Sequence, residues 1–305
     1  MVAAYKGPHT IILNRNETNL GIGGHVNKIA RIAQGEWRVG AAGDDVSLPT
    51  RVETVMSRIK GCPDVVGICS GWKRIDENGL EVSQTLGYQT PQQEVLRNNV
   101  DFDQDWWLHG ATAMWRKDLF TKFPPLLEGV ICEDLVCSFR AHLCGKTLTI
   151  PEVLVLWRLW DGNVSGARVP VEKTRLEQVL LREQHGAKWF RAQRLVYRQM
   201  IIDRNHFQQS HQTIPEGIPS IETLGALERR SEVIGFFNEW SFVRRVSLLF
   251  KRDTDRKWCF PRLFGRRCYT YGFVVLWSVK RFFSSICRKF YCLIDHRQSQ
   301  RGCEK

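Results

Sequence analysis

Short apolar runs alternate with helical patterns along the first half of the chain, and this alternation most constrains the fold. HTIILN, residues 9–14, predicts a buried strand. A loop over residues 19–24 then leads to a helix in which Val26, Ile29, Ala30 and Ala33 share a face, with a stop at Gly35. WRVGAA predicts a second strand, and Pro49 opens the helix TRVETVMSRIK, which Gly61 ends. DVVGICSGW predicts a third strand, with a turn at Asn78 and Gly79 behind it. Further on, DWWLHGATAMWRKDLFTKF combines aromatics, a small-residue turn at Gly110 and Ala111, and a short helix. Glu133 and Asp134 open a helix that Gly145 closes, and TLTIPEVLVLWRLW predicts a strand pair interrupted by Pro151. The expected fold class is α/β, with a mostly parallel sheet flanked by helices. In such sheets ligands bind beyond the carboxyl ends of the strands, and the sequence AAGDDVSLPTR places Asp44 and Asp45 there.

Adjacent carboxylates at a strand end suit a hard divalent cation, Mg²⁺ or Mn²⁺, which takes one or two carboxylates plus the oxygens of a bound phosphate. The competing reading is a capped loop in which one Asp bonds the next helix's amides. Glu133 and Asp134 pose the same choice: acids favour helix N-termini, and a carboxylate at a site edge also serves as a general base. Between the pairs lie Trp106, Trp107 and His109, which suit either a core or the face of a sugar. GIGGHV, residues 21–26, lacks the third glycine of a dinucleotide fingerprint, and no acid stands at the next strand's end for a ribose. It reads as a glycine-rich turn between strand and helix, and nicotinamide binding is rejected.

Taken in order, NLGIGGHVNKIARIAQGEW, AAGDDVSLPTR, WLHGATAMWRKDLF, EDLVCSFRAHLCGK and LVLWRLWDGNVS resemble the family 2 glycosyltransferases of GT-A fold over about residues 10–165. The resemblance implies inverting transfer of a sugar from a nucleotide-sugar donor to an acceptor hydroxyl, on a glycan or lipid-linked acceptor, as in polysaccharide biosynthesis. It implies that Asp44, with Asp45 beside it, holds the metal, and that Asp134, with Glu133 its neighbour, is the catalytic base. Asn19, Gly21, Asn27, Trp107, His109, Gly110 and Arg158 would contact donor or acceptor. Two departures stand out. Ala42 occupies the place of the leading acid in the D-x-D-type motif, and the strand-helix-strand unit that grips the nucleoside is expected to be missing ahead of the first block. The alternative is a non-catalytic remnant of the same fold that binds a partner or a membrane.

Charge separates the rest of the chain from this part. Residues 229–305 carry 18 Lys and Arg against 6 Asp and Glu, whereas residues 1–228 carry 26 of each. Such asymmetry points to an anionic partner for the tail. Wound as a helix, residues 273–294 gather Lys280, Arg281, Arg288 and Lys289 on one half and Val275, Val279, Phe282, Phe283, Ile286, Phe290 and Leu293 on the other, while Phe273 and Trp277 break the pattern. A basic amphipathic helix suits an anionic membrane surface; a helix packed on the body is the plainer reading. Nucleic acid ranks low, because no nucleic-acid-binding motif is present.

The expected organisation is a GT-A-like domain over residues 1–168, a helical extension and connector over 169–228, and a basic tail over 229–305. No run approaches the roughly 20 apolar residues a bilayer span needs, and the N-terminus lacks a signal-peptide pattern. Ten cysteines include no C-x-x-C pair, which suits free thiols in a reducing compartment. A cytoplasmic protein, peripheral at the inner face of the membrane and not secreted, is expected.

Overall fold

The computed structural model describes residues 6–82, 92–97, 106–160 and 175–248. Two compact units divide the chain, Met1–Trp160 with Ala192–Glu228, and Asp161–Arg191 with Arg229–Lys305. The basic segment 273–294 lies outside the described residues, as do five of the ten cysteines.

In the first unit, α1 (Gly21–Ile32), β1 (Trp37–Val39), β2 (Val46–Ser47), α2 (Arg51–Ile59), β3 (Val65–Ile75), β4 (Val95–Arg97), β5 (Ala113–Arg116), α3 (Asp118–Thr121), α4 (Glu133–Cys144) and β6 (Lys146–Arg158) follow in order. The strand order is β1-β5-β3-β6-β2, and β4 also pairs β6. Among the described residues, β3 and β6 alone run parallel, in the longest pairing of the sheet; the other four pairings are antiparallel. The α/β expectation holds, and the mostly parallel sheet is corrected to a mixed one. The short β5, which follows the 110–112 turn, enters between β1 and β3 antiparallel to both, and β2 and β4 pair β6 antiparallel.

Helices cover both faces of this sheet. On one, Val55 and Ile59 of α2 pack on Val65, Ile68, Met114, Leu148 and Ile150. On the other, Cys137 and Ala141 of α4 meet Val66, Cys69, Ala113 and Trp115. A strand covered on both sides needs a continuous apolar run, and every residue from Val65 to Trp72 is buried. Each large aliphatic side chain so buried contributes about 1.5–3 kcal/mol.

Three local expectations change. Residues 9–14 form no strand, and Ile11, Ile12 and Leu13 are exposed, because no described strand pairs with them. The predicted loop over residues 19–24 is instead the start of α1: Asn19 Oδ1 accepts from Gly21 N at 2.9 Å, and Gly21 has φ +66°. That conformation suits glycine. The predicted strand pair at Pro151 is the single strand β6. There β3 and β6 slip register between Cys69 with Thr149 and Gly71 with Val153, while β4 ends at Thr149 and β2 begins at Val155. The missing proline N–H falls where no partner strand needs it.

A second core of this unit lies behind α4, where Val136, Phe139 and Leu143 meet Val196, Met200, Phe207 and Leu224. These come from the C-terminal part of α5 (Arg175–Gln209) and the first turns of α6 (Ile221–Phe236). Arg140 crosses this core fully buried, bonding Asp203 through Nε at 2.7 Å and Nη2 at 3.1 Å, and also donating to the Leu119 and Pro124 carbonyls. A buried ion pair survives when its remaining donors are largely met, and here four hydrogen bonds hold the guanidinium.

In the second unit, Arg191 donates to the Gly235 carbonyl at 2.8 Å, pairs with Glu239 and lies over the Phe236 ring. The short α7 (Phe242–Leu248) follows, with Arg244 over Trp240. Among the described residues no helix is long and apolar enough to cross a membrane.

Candidate active site

The acidic loop between β1 and β2 is fastened by the end of β6. Arg158 donates its backbone N–H to Asp45 Oδ1 at 2.9 Å and its Nε to the Asp44 carbonyl at 2.8 Å. Its Nη1 reaches the Asp76 and Glu77 carbonyls at 2.8 and 2.9 Å. One side chain thus ties the acidic loop to the turn of Asn78 and Gly79. Trp160 Nε1 donates to Asp44 Oδ2 at 2.9 Å. Burial pushes the Asp45 carboxyl up, against the Arg158 amide and the charges of Arg158 and Arg51, while Asp44 pushes the same way as burial.

Arg51 carries the connection onward. It is buried, and donates from Nη1 to Ser47 Oγ at 2.8 Å and from Nη2 to the Ala111 carbonyl at 3.1 Å. The same turn reaches the second acidic pair. Gly110 N donates to Asp134 Oδ2 at 3.2 Å, and a Cβ on Gly110 would sit 3.0 Å from the Asp134 Cβ. Asp134 Oδ1 accepts from Leu135 N at 2.9 Å. Ser138 Oγ donates to the Asp134 carbonyl at 2.7 Å and accepts from Leu108 N at 2.9 Å, so α4 holds the 108–110 segment at two points.

Asp134 and Glu133 lie in the first turn of α4, partly buried. Burial raises the Asp134 carboxyl above the usual carboxylate range, against the Gly110 and Leu135 amides. Glu133 is pushed up to about 7, by burial first and by the Asp134 charge second. Two carboxyls this close titrate as a pair. A carboxyl that ionises near neutrality is suited to taking a proton from a hydroxyl.

His109 is enclosed by indoles. Its ring stacks on Trp72 at 4.8 Å and 10°, meets Trp157 edge-on at 5.3 Å, and lies 5.9 Å from Trp107. Burial, and then the Arg74 charge, lower its pKa to about 4, so the imidazole is neutral at physiological pH.

The charge of Arg51 acts on Asp45, and hydrogen bonds from Arg51 to Ala111 and from Gly110 to Asp134 link the 110–111 turn to α4. Asn19, Gly21 and Asn27 are held elsewhere. Asn19 bonds Gly21 at the start of α1, and Asn27 exchanges two 2.8 Å bonds with the backbone of Leu126. Gly23 N meets the Val130 carbonyl at 2.9 Å, where a Cβ would not fit without displacement. The glycine run serves this close packing. Arg51, Trp72, Ser138 and Trp160 escaped the sequence reading. Arg51 follows Pro49 by two residues and Trp160 follows Arg158 by two; the roles of Trp72 and Ser138 carry no local signal.

Residues 1–123 match the family described as Glycosyl transferase family 2. Over this segment the chain is similar to glycosyl transferase family 2. The matched segment ends before α4, so Asp44 and Gly110 lie inside the match and Asp134 beyond it. No curated protein matches the chain. Among solved structures, S. aureus TarS is similar at 14% identity and a TM-score of 0.39, over 81% of this chain and 36% of that one. The chain thus spans about a third of the length of that structure.

Proposed function

We propose that the protein transfers a sugar from a nucleotide-sugar donor to an acceptor hydroxyl with inversion at the anomeric carbon. The observation that carries this reading is the Glu133–Asp134 pair, whose carboxyls burial raises, with Asp134 held by Gly110 and the neighbouring Ala111 bonded by Arg51, whose charge acts on Asp45. Asp134 accepts the acceptor's hydroxyl proton as the oxygen attacks the anomeric carbon. The bond to the diphosphate breaks, and the nucleoside diphosphate leaves with the electron pair. Gly110 N–H and Leu135 N–H hold the carboxylate for that attack.

Among the described residues no group of three or more His, Cys, Asp or Glu gathers as a metal cage. The donor set still fits a Mg²⁺ or Mn²⁺ ion carried in with a diphosphate, which needs only one or two carboxylates. Asp44 and Asp45 each engage one oxygen in a bond to Trp160 or Arg158, and among the described residues the other oxygen of each is available to a cation. A cation there supplies charge neutralisation to the departing diphosphate. Arg158 and Trp160 orient the two carboxylates.

The second reading is a non-catalytic fold that binds a partner, favoured by Ala42 at the place of the leading acid. Calorimetric titration with UDP and with GDP, with and without Mn²⁺, separates the two. The catalytic reading expects metal-dependent binding that Asp44→Asn weakens about tenfold or more; metal-independent binding that is unchanged in Asp44→Asn removes Asp44 from the site.

A further inference from the structure

We propose that Trp72 is a positioning residue for Asp134, acting through the ring of His109 and the amide of Gly110. The inference rests on the reading of Asp134 as the base. Trp72 sits in the parallel pairing of β3 and β6, opposite Val155, and Trp157 lies two residues further along β6. Both indoles, with Val155, Ala111 and Leu159, form one apolar cluster. The longest ladder of the sheet therefore presents two fixed aromatic surfaces to His109, one flat and one edge-on. Aromatic pairs of this kind contribute about 0.5–1.5 kcal/mol beyond their buried area.

With its ring held there, His109 fixes the turn behind it. Its carbonyl accepts from Thr112 N at 2.9 Å and from Thr112 Oγ1 at 3.0 Å. The next residue, Gly110, aims its N–H at Asp134 Oδ2 from a distance at which a Cβ would press on Asp134 at 3.0 Å. The charged groups around the cluster are Arg74, over the Trp157 ring, Arg51, on the Ala111 carbonyl, and Glu133 beside Asp134. Arg74 acts on His109 through its charge, while Trp72 and Trp157 meet the imidazole on its face and at its edge. A stack that only filled volume would have no effect on a carboxylate on another element. A stack that aims the Gly110 amide has one, because that N–H bond favours the ionised form of Asp134.

The test follows the Asp134 side-chain carboxyl by ¹³C NMR and the His109 ring by ¹H NMR across pH, in the full chain without substrate. Asp134→Asn assigns the first signal. Trp72→Leu and His109→Leu each remove the stack, and Trp72→Phe retains an aromatic face. The expected result is that each Leu variant raises the proton affinity of Asp134 about threefold, that Trp72→Phe restores it, and that His109 in Trp72→Leu titrates closer to the ordinary histidine range. An Asp134 midpoint unchanged in a folded Leu variant, or a shift that Trp72→Phe does not restore, overturns the proposal. Because no donor is present, a protein inactive in sugar transfer leaves this result standing. Sugar transfer with an unmoved Asp134 midpoint sinks the stack alone.

Discussion

The backbone amide of Gly110 donates to the carboxylate of Asp134 across 24 residues of sequence, at 3.2 Å. That bond joins the end of the aromatic segment to the first turn of α4. Through Ala111 and Arg51 the same turn reaches the acidic loop of Asp44 and Asp45.

Gly110→Ala should displace the base without unfolding the protein. The added Cβ would meet Asp134 Cβ at 3.0 Å and Oδ2 at 3.2 Å, so one of them has to move. The shift needed is a few tenths of an ångström, a fraction of the 1 Å misplacement that costs on the order of a hundredfold in rate. The expected result is kcat for sugar transfer down by about threefold to tenfold, with a urea midpoint close to wild type.

Glu133 gives stability a defined pH dependence. Its folded pKa, about 7, lies above its ordinary value of 4.5, so the folded state binds the proton more tightly than the unfolded chain. Its contribution is fully present below about 4.5 and is lost as pH rises through about 7. Glu133→Gln should remove that slope and raise the urea midpoint at pH 8 relative to wild type. Equal slopes between pH 4.5 and 7 in both proteins would contradict it.

The alternation of strand and helix was legible because β3 and β6 are buried on both faces and must be written as long apolar runs. The two acidic pairs were legible for the opposite reason, being charges gathered where solvent alone would scatter them. Residues 9–14 have the composition of a strand, yet a strand exists only through a partner, and none of the described strands supplies it. Pro151 reads locally as a break, and only the register slip against β3 shows why β6 continues through it. Ser138 and Trp72 act through contacts 30 and 37 residues away, which no local pattern encodes.

We propose an anionic membrane surface as the partner of the basic tail, on the strength of its 18 Lys and Arg against 6 acids. Flotation of the full chain with phosphatidylserine liposomes tests this against a variant with Lys280, Arg281, Arg288 and Lys289 changed to Glu. Each basic residue near such a surface contributes about 1 kcal/mol. Most of the binding should therefore disappear in the variant; equal flotation of the two proteins would remove the membrane from the account.

The most direct test of the central claim is the rate of sugar transfer by Asp134→Asn, measured over a panel of UDP- and GDP-sugars beside the wild type. The account expects donor binding to persist and kcat to fall by about a hundredfold to ten-thousandfold, the contribution of a positioned general base. A wild-type rate that Asp134→Asn leaves within a factor of two would contradict it.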